Sequence, residues 1–290
     1  MTIDELFEQL NENVIVMEEY LNKYCPKDEN ADVLNAVKYS LYSSGKRLRA
    51  FLVLNAAKRY GIMDENIERL AVAIEMIHTY SLVHDDLPCM DDDDTRRGKP
   101  SNHKVYGEAG AVLAGDCLLN MAFEVMLGGN ITNGYVKAMR AIAAYSGYKG
   151  MVGGQYLELI NPLGNIGTLL QIAKGKTSAL ISAATVAVAY YAERSEKEIK
   201  LLLEFSENFG IAFQISDDIL DYYEEMKCAA TITGKYELPY EFNFISFFGM
   251  DESKNLLNYY TNLAKSALKS LKLEGCAEDA LLDYNISREF

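Results

Sequence analysis

Two runs of aspartate carry the most distinctive chemistry of this chain. The first comprises Asp85, Asp86, Asp91, Asp92, Asp93 and Asp94, and the second comprises Asp217, Asp218 and Asp221, about 130 residues later. Both are embedded in apolar, helix-forming sequence, where clustered carboxylates repel one another and resist burial unless a cation stands between them. An all-oxygen donor set of this kind suits hard Mg²⁺, which takes one or two carboxylates together with waters and substrate phosphates. Asp217 and Asp221 are four residues apart and share a helix face, with Gln214 one turn earlier. Phe213, Ile215, Ile219 and Leu220 make the rest of that helix apolar, which disfavours the competing reading of a solvated face.

In the first run, His78 and Asp85 share a face at seven residues' spacing, and Ser81 lies one turn from Asp85. Asp91 is out of register with Asp85. Pro88 removes a backbone donor between them, so the helix is expected to break or bulge there and return Asp91 to the side of Asp85. Asp92, Asp93 and Asp94 read as charge on a loop. Basic residues follow at once, namely Arg96, Arg97 and Lys99, and a second basic cluster of Lys46, Arg47 and Arg49 opens an apolar helix after Gly45. Guanidinium forks match phosphate oxygens and ammonium supplies a point charge, so both clusters read as anion sites, with ion pairing to neighbouring aspartates as the alternative. Gly175, Lys176 and Thr177 at a helix start form a weaker third candidate.

These residues need helices to position them. Apolar residues recur three and four apart over 34–59, 67–86, 111–127, 136–144, 177–192, 196–223 and 252–271, and no stretch alternates as a strand would. Pro26, Pro88, Pro100, Pro162 and Pro239 fall between or at the ends of these segments. The expectation is a single all-α domain over 1–290, with several almost wholly apolar helices at its centre.

The chain has 290 residues, 49% of them hydrophobic, enough to bury a large core. Its formal charge of −14 argues against nucleic acid as a partner, so an anionic ligand must be caught by a local cationic pocket. Cys25, Cys89, Cys117, Cys228 and Cys276 are odd in number and lack C-x-x-C spacing, which fits a reducing cytoplasm better than a disulfide framework or a zinc site. The start of the chain is acidic and amphipathic, unlike a signal peptide. The longest apolar run, 180–192, falls short of the ~20 residues that span a bilayer, so no membrane span is expected.

Taken together the motifs resemble the polyprenyl synthetase family of trans-isoprenyl diphosphate synthases, in its bacterial and plastid-type short-chain branch. The resemblance rests on residues 44–49, 77–104, 114–119, 151–155, 175–177 and 209–221. It implies the isoprenoid synthase fold, roughly ten or more helices around a central deep apolar cavity. It further implies that Asp85, Asp91 and Asp217, with Asp221 nearby, hold three Mg²⁺ ions that grip the diphosphate of an allylic substrate. Arg96, Lys176, Thr177 and Gln214 would contact that diphosphate or its metals, and Lys46, Arg49, His78 and Arg97 would bind isopentenyl diphosphate. A homodimer is the family's usual assembly, and the terminal segment bearing Arg288 also resembles the family's.

Two further expectations follow from the resemblance. The family carries two lysines after its second aspartate motif, where this chain places Thr231 and Glu241, with Lys227 or Lys235 as substitutes from a reshaped loop. Tyr80, five residues before Asp85, and the neighbouring Ser81 lie where chain length is set; a bulky tyrosine there implies C15 farnesyl diphosphate. Geranylgeranyl or geranyl diphosphate synthesis is the neighbouring reading, and a non-catalytic partner subunit is the reading from another class.

Overall fold

A computed structural model describes residues 1–28, 32–161, 164–232 and 242–288. Among these the architecture is all-α, as the periodicity requires. The helices are α1 (Ile3–Tyr24), α2 (Asp32–Leu41), α3 (Leu48–Tyr60), α4 (Glu65–Asp85), α5 (Asn102–Leu127), α6 (Asn133–Ser146) and α7 (Met151–Ile160). They continue as α8 (Ile166–Ile172), a π-helical turn (Ala173–Ser178), α9 (Ala179–Tyr191), α10 (Glu196–Ile232), α11 (Phe244–Phe248), α12 (Met250–Ser270) and α13 (Ala277–Ser287). The extended structure among the described residues is one two-residue antiparallel pair, β1 (Thr95–Arg96) and β2 (Lys99–Pro100), with Thr95 opposite Pro100. Pro162, Lys235, Pro239 and Glu241 lie outside the described residues, as do the side chains of Lys227 and Thr231.

The chain forms two compact units: Phe7–Ile142 with Ala187–Glu193, and Met1–Leu6 with Ala143–Val186 and Arg194–Phe290. In the first, α4 is the central helix. Leu70, Ala71, Val72, Ala73, Ile74, Met76 and Ile77 are consecutive or nearly so and all buried, so this helix is enclosed on every side, packing on α2, α3 and α5. Its start is fixed by Asp64, whose side chain accepts the Ile67 N–H at 3.1 Å. In the second unit, α10 packs on α11, α12, α13 and the π-turn. Ile211, Ala212, Ile215 and Ile219 of α10 form its core with Leu169, Ala173, Phe244, Ile245 and Leu257.

The periodic segment 34–59 is two helices rather than one. The chain leaves α2 after Leu41 and enters α3 at Leu48, with Arg47 in the left-handed region at φ 50°. Ser43, Ser44 and Gly45 supply the turn, and their low helix propensity outweighs the apolar register on either side. α5 begins at Asn102, earlier than its periodicity shows, and is kinked at Gly107, whose φ of 76° is open to glycine. By length and hydropathy α5 could cross a bilayer, yet it packs against α2 and α4.

Candidate active site

The acidic end of α4 shows how the first motif is shaped. α4 stops at Asp85, and the chain then turns so that the Asp91 N–H donates to the Asp85 carbonyl at 2.9 Å. This draws the backbones of the two aspartates together across the break in the helix. Asp86 points inward instead, 2% exposed, and accepts from Arg96 Nε at 2.8 Å and Nη2 at 2.5 Å. Burial pushes the Asp86 carboxyl up, while the Arg96 guanidinium pulls it back down. Asp93 takes a second bond from Arg96 Nη2 at 2.7 Å, and Asp94 pairs with Lys104 at 2.5 Å. Arg96 is therefore held by neighbouring aspartates, with Nη1 making no hydrogen bond to the described residues. Asp92, Asp94 and His103 each offer a ligand atom, all within 4.8 Å of one another, so this loop is more than dispersed surface charge.

The same unit gathers the arginines of both clusters around His78. Arg49 Nη1 lies 3.1 Å from His78 Nε2. Guanidinium can only donate, so Nε2 must accept and the ring carries its proton on Nδ1. Burial drives the imidazole well below its ordinary range, and the charges of Arg49, Arg97, Arg47 and Arg96 reinforce this. His78 is neutral, surrounded by cations. Arg97 is itself lowered, by burial and then by Arg47. Its guanidinium lies flat against Gly45, where a Cβ would stand 2.9 Å from Cζ. Lys46 Nζ sits 5.3 Å from the centre of the Phe7 ring. Such crowded, partly desolvated positive charge is what an anion would relieve.

Arg47 departs from the basic-cluster reading. It is 6% exposed, pairs with the buried Glu75 at 3.5 Å, and donates to the carbonyls of Leu41 and Ser43. Glu75 also accepts the Ala50 N–H at 3.1 Å, so this pair ties the 42–47 turn and the start of α3 to α4. One signal for it was available: Glu75 is a lone carboxylate inside the apolar run 70–77. On the other side of α4, Tyr80 is 6% exposed and packs edge-on against His84 at 5.8 Å between ring centres. Burial, then the Asp85 charge, pushes its phenol up to about 12. Ser81 Oγ donates to the His78 carbonyl at 2.9 Å.

The second unit holds the remaining candidates. Thr177 Oγ1 donates to Gln214 Oε1 at 2.6 Å, Gln214 Nε2 donates to Asp218 Oδ1 at 2.8 Å, and the Phe244 N–H donates to Asp218 Oδ2 at 2.8 Å. This chain runs from the π-turn across α10 to the start of α11. Burial raises the Asp218 carboxyl to about 7, against those two hydrogen bonds. Lys176 donates to Glu158 of α7 at 2.6 Å, a partner that no sequence signal marks. The backbones meet closely behind it: a Cβ on Gly154 would stand 2.1 Å from Lys176 N. Asp217 accepts from Arg288 at 2.5 Å, and that guanidinium lies 5.3 Å from the Phe213 ring centre.

The donor sets fit Mg²⁺. In the first unit, a backbone hydrogen bond draws the main chain of two carboxylate residues, Asp85 and Asp91, together; in the second, Asp217 and Asp221 sit one turn apart on α10, and Asp217 already holds a guanidinium cation.

Comparison with known proteins agrees with this chemistry. Residues 30–255 match the polyprenyl synthetase family. The chain is 37% identical to the farnesyl diphosphate synthase of Bacillus subtilis over 89% of this chain and 90% of that one. It is 36% identical to the geranylgeranyl diphosphate synthase of Cyanophora paradoxa, covering 98% and 96% of the two chains. Among solved structures, a geranyltransferase from Legionella pneumophila superposes with a TM-score of 0.85 at 29% identity, over 99% of each chain. The chain thus belongs to the polyprenyl synthetase family, as a short-chain prenyl diphosphate synthase.

Proposed function

We propose that the chain condenses isopentenyl diphosphate with dimethylallyl and then geranyl diphosphate, releasing C15 farnesyl diphosphate. The observation that carries the product length is Tyr80, a large side chain buried on α4 five residues before Asp85. The second reading, geranylgeranyl diphosphate, is favoured by the similarity to the Cyanophora paradoxa enzyme.

Asp85 and Asp91 in one motif, and Asp217 with help from Asp221 in the other, would hold Mg²⁺, three ions with substrate bound. When bound, Mg²⁺ supplies electrophilic charge to the departing pyrophosphate. Arg96 is oriented by Asp86 through Nε and Nη2, which leaves Nη1 for the allylic diphosphate. Lys176, steadied by Glu158, and Thr177 and Gln214, joined to each other, serve that diphosphate too. Lys46, Arg49, Arg97 and neutral His78 take isopentenyl diphosphate, and the imidazole donates through Nδ1–H. Loss of pyrophosphate leaves an allylic cation that the isopentenyl double bond attacks, and the released pyrophosphate can accept the proton lost in forming the 1'-4 bond. No side-chain nucleophile is needed; the apolar helices serve to keep water from the cation.

The family match runs through both compact units, which supports treating 1–290 as one synthase domain. The assembly is taken as a homodimer. Cys25, Cys89, Cys117 and Cys276 are free thiols, which supports a cytoplasmic setting. The test is incubation with Mg²⁺, labelled isopentenyl diphosphate and each allylic primer, followed by sizing of the products. Failure to incorporate label with any primer refutes the enzymatic reading. Asp85→Ala should abolish turnover, and Tyr80→Ala should lengthen the product; an unchanged length distribution overturns the role given to Tyr80.

A further inference from the structure

We infer that Asp92, Asp94 and His103 form a separate cation site, selective for a borderline ion of the Zn²⁺ class over Mg²⁺. Two independent observations meet there. The first is geometric: one carboxylate oxygen from each aspartate and one ring nitrogen of His103 all lie within 4.8 Å of one another. The second is the state of the imidazole. His103 is 6% exposed, and its Nδ1 is committed to the buried Ser101 hydroxyl at 3.1 Å. Its Nε2 is shut off from solvent and has no hydrogen-bond partner among the described residues. A buried ring nitrogen left in this condition is costly to fold, and a bound ion would give it a partner.

The surrounding structure holds the three residues in place. The Ser101 N–H donates to the Asp94 carbonyl at 2.9 Å, closing the turn formed by β1 and β2 so that the acidic loop meets the first turn of α5. The Ser101 hydroxyl holds the ring from its Nδ1 side, as a protein does behind a metal-bound histidine, and in the tautomer that donates Nδ1–H to Oγ the Nε2 lone pair is open to an ion. Both carboxylates are exposed, so an ion can enter with waters completing its shell. Lys104, 2.5 Å from Asp94 Oδ1, offsets one negative charge and moderates the affinity.

The donor set separates this site from the catalytic one. Mg²⁺ seeks oxygen ligands in octahedral array, whereas imidazole nitrogen with one or two carboxylates and water suits Zn²⁺ or Co²⁺. Neither Asp85 nor Asp91 belongs to the group. Asp92 directly follows Asp91, however, so an ion bound here pins the loop that returns Asp91 to Asp85.

The experiment titrates the full chain, in millimolar Mg²⁺, with Zn²⁺ by calorimetry and with Co²⁺ by its visible absorption. One equivalent should bind with Mg²⁺ in excess, and X-ray absorption of the zinc form should show imidazole scattering. Asp92→Asn, at an exposed position, and His103→Gln should each weaken binding at least tenfold. Asp85→Asn should leave Zn²⁺ affinity within twofold. Absence of Zn²⁺ binding over Mg²⁺, insensitivity to Asp92→Asn, or loss of the ion in Asp85→Asn would each overturn the site.

Discussion

Gly45→Ala is the sharpest test of the cationic cluster, because it moves one guanidinium and little else. Gly45 does not have a positive φ, so alanine fits its backbone. The added Cβ would meet Arg97 Cζ at 2.9 Å, Nη1 at 3.0 Å and Nη2 at 3.1 Å. Carbon atoms rest at about 3.5 Å or more, so the guanidinium must retreat by roughly 0.6 Å. Arg97 is the far end of a flexible side chain, so the fold gives way at small cost, with a change in unfolding free energy under about 1 kcal/mol. A bidentate anion contact does not tolerate that shift. Loss of one charge-assisted hydrogen bond is worth about 1.5–3 kcal/mol, or roughly 10- to 150-fold in affinity. The expected result is a KM for isopentenyl diphosphate raised by that factor, with the KM for the allylic substrate held within about twofold. Steady-state kinetics varying each substrate in turn, with urea unfolding alongside, makes the measurement. An unchanged isopentenyl KM would refute the placement of Arg97 in that site.

Three other perturbations follow from the same geometry. Gly115→Ala puts a Cβ 2.1 Å from His84 Nε2, which itself bonds the Val112 carbonyl region at 3.0 Å; overpacking should cost about 1–3 kcal/mol in urea unfolding, and adding His84→Ala should recover part of it. A stabilised single mutant, as helix propensity alone would give, counts against this contact. Asp218→Ala strands the buried Phe244 N–H and Gln214 Nε2 and should lower stability by about 1–3 kcal/mol; a loss below about 0.5 kcal/mol would mean those groups find other partners. His78 gives a pH dependence. Its folded pKa lies below 6.5, so the unfolded chain protonates first, and stability present above that pH is lost as pH falls. The slope reaches at most about 1.4 kcal/mol per pH unit for one proton, and His78→Gln should flatten it between pH 5 and 7 on the order of that amount. With three histidines in the chain the comparison is clean, and an identical slope would contradict the half-buried neutral imidazole.

The sequence displays the large helices and hides the turns that aim the chemistry. α4 and α10 are legible because their apolar residues keep helical register through the aspartates. The 42–47 break is harder to see, because apolar register resumes on its far side and the eye joins the two helices. Arg47 and Arg49 look equivalent in a basic cluster. Only the left-handed backbone at Arg47 sends its side chain to Glu75, whereas Arg49 meets His78. Arg96 likewise reads as an anion ligand, and its hold on Asp86 depends on the β1–β2 turn, a long-range closure without periodic signature. Lys176 and Thr177 are conspicuous as residues, but the wider π-turn that carries them leaves no trace in hydrophobic spacing.

That π-turn has a consequence for how the chain tolerates changes in length. A π-turn accommodates one residue more than the α-helical turn it replaces. Removing a single residue between Ala173 and Ser178 would let α8 run straight into α9 as ordinary α-helix. Because the wider turn itself takes up the extra residue, α8 and α9 would keep the direction of their apolar faces on either side. Loops elsewhere absorb a deletion by tightening. Here it would be absorbed by straightening, with the packing of Leu169 kept and the direction in which Lys176 leaves the helix toward Glu158 changed.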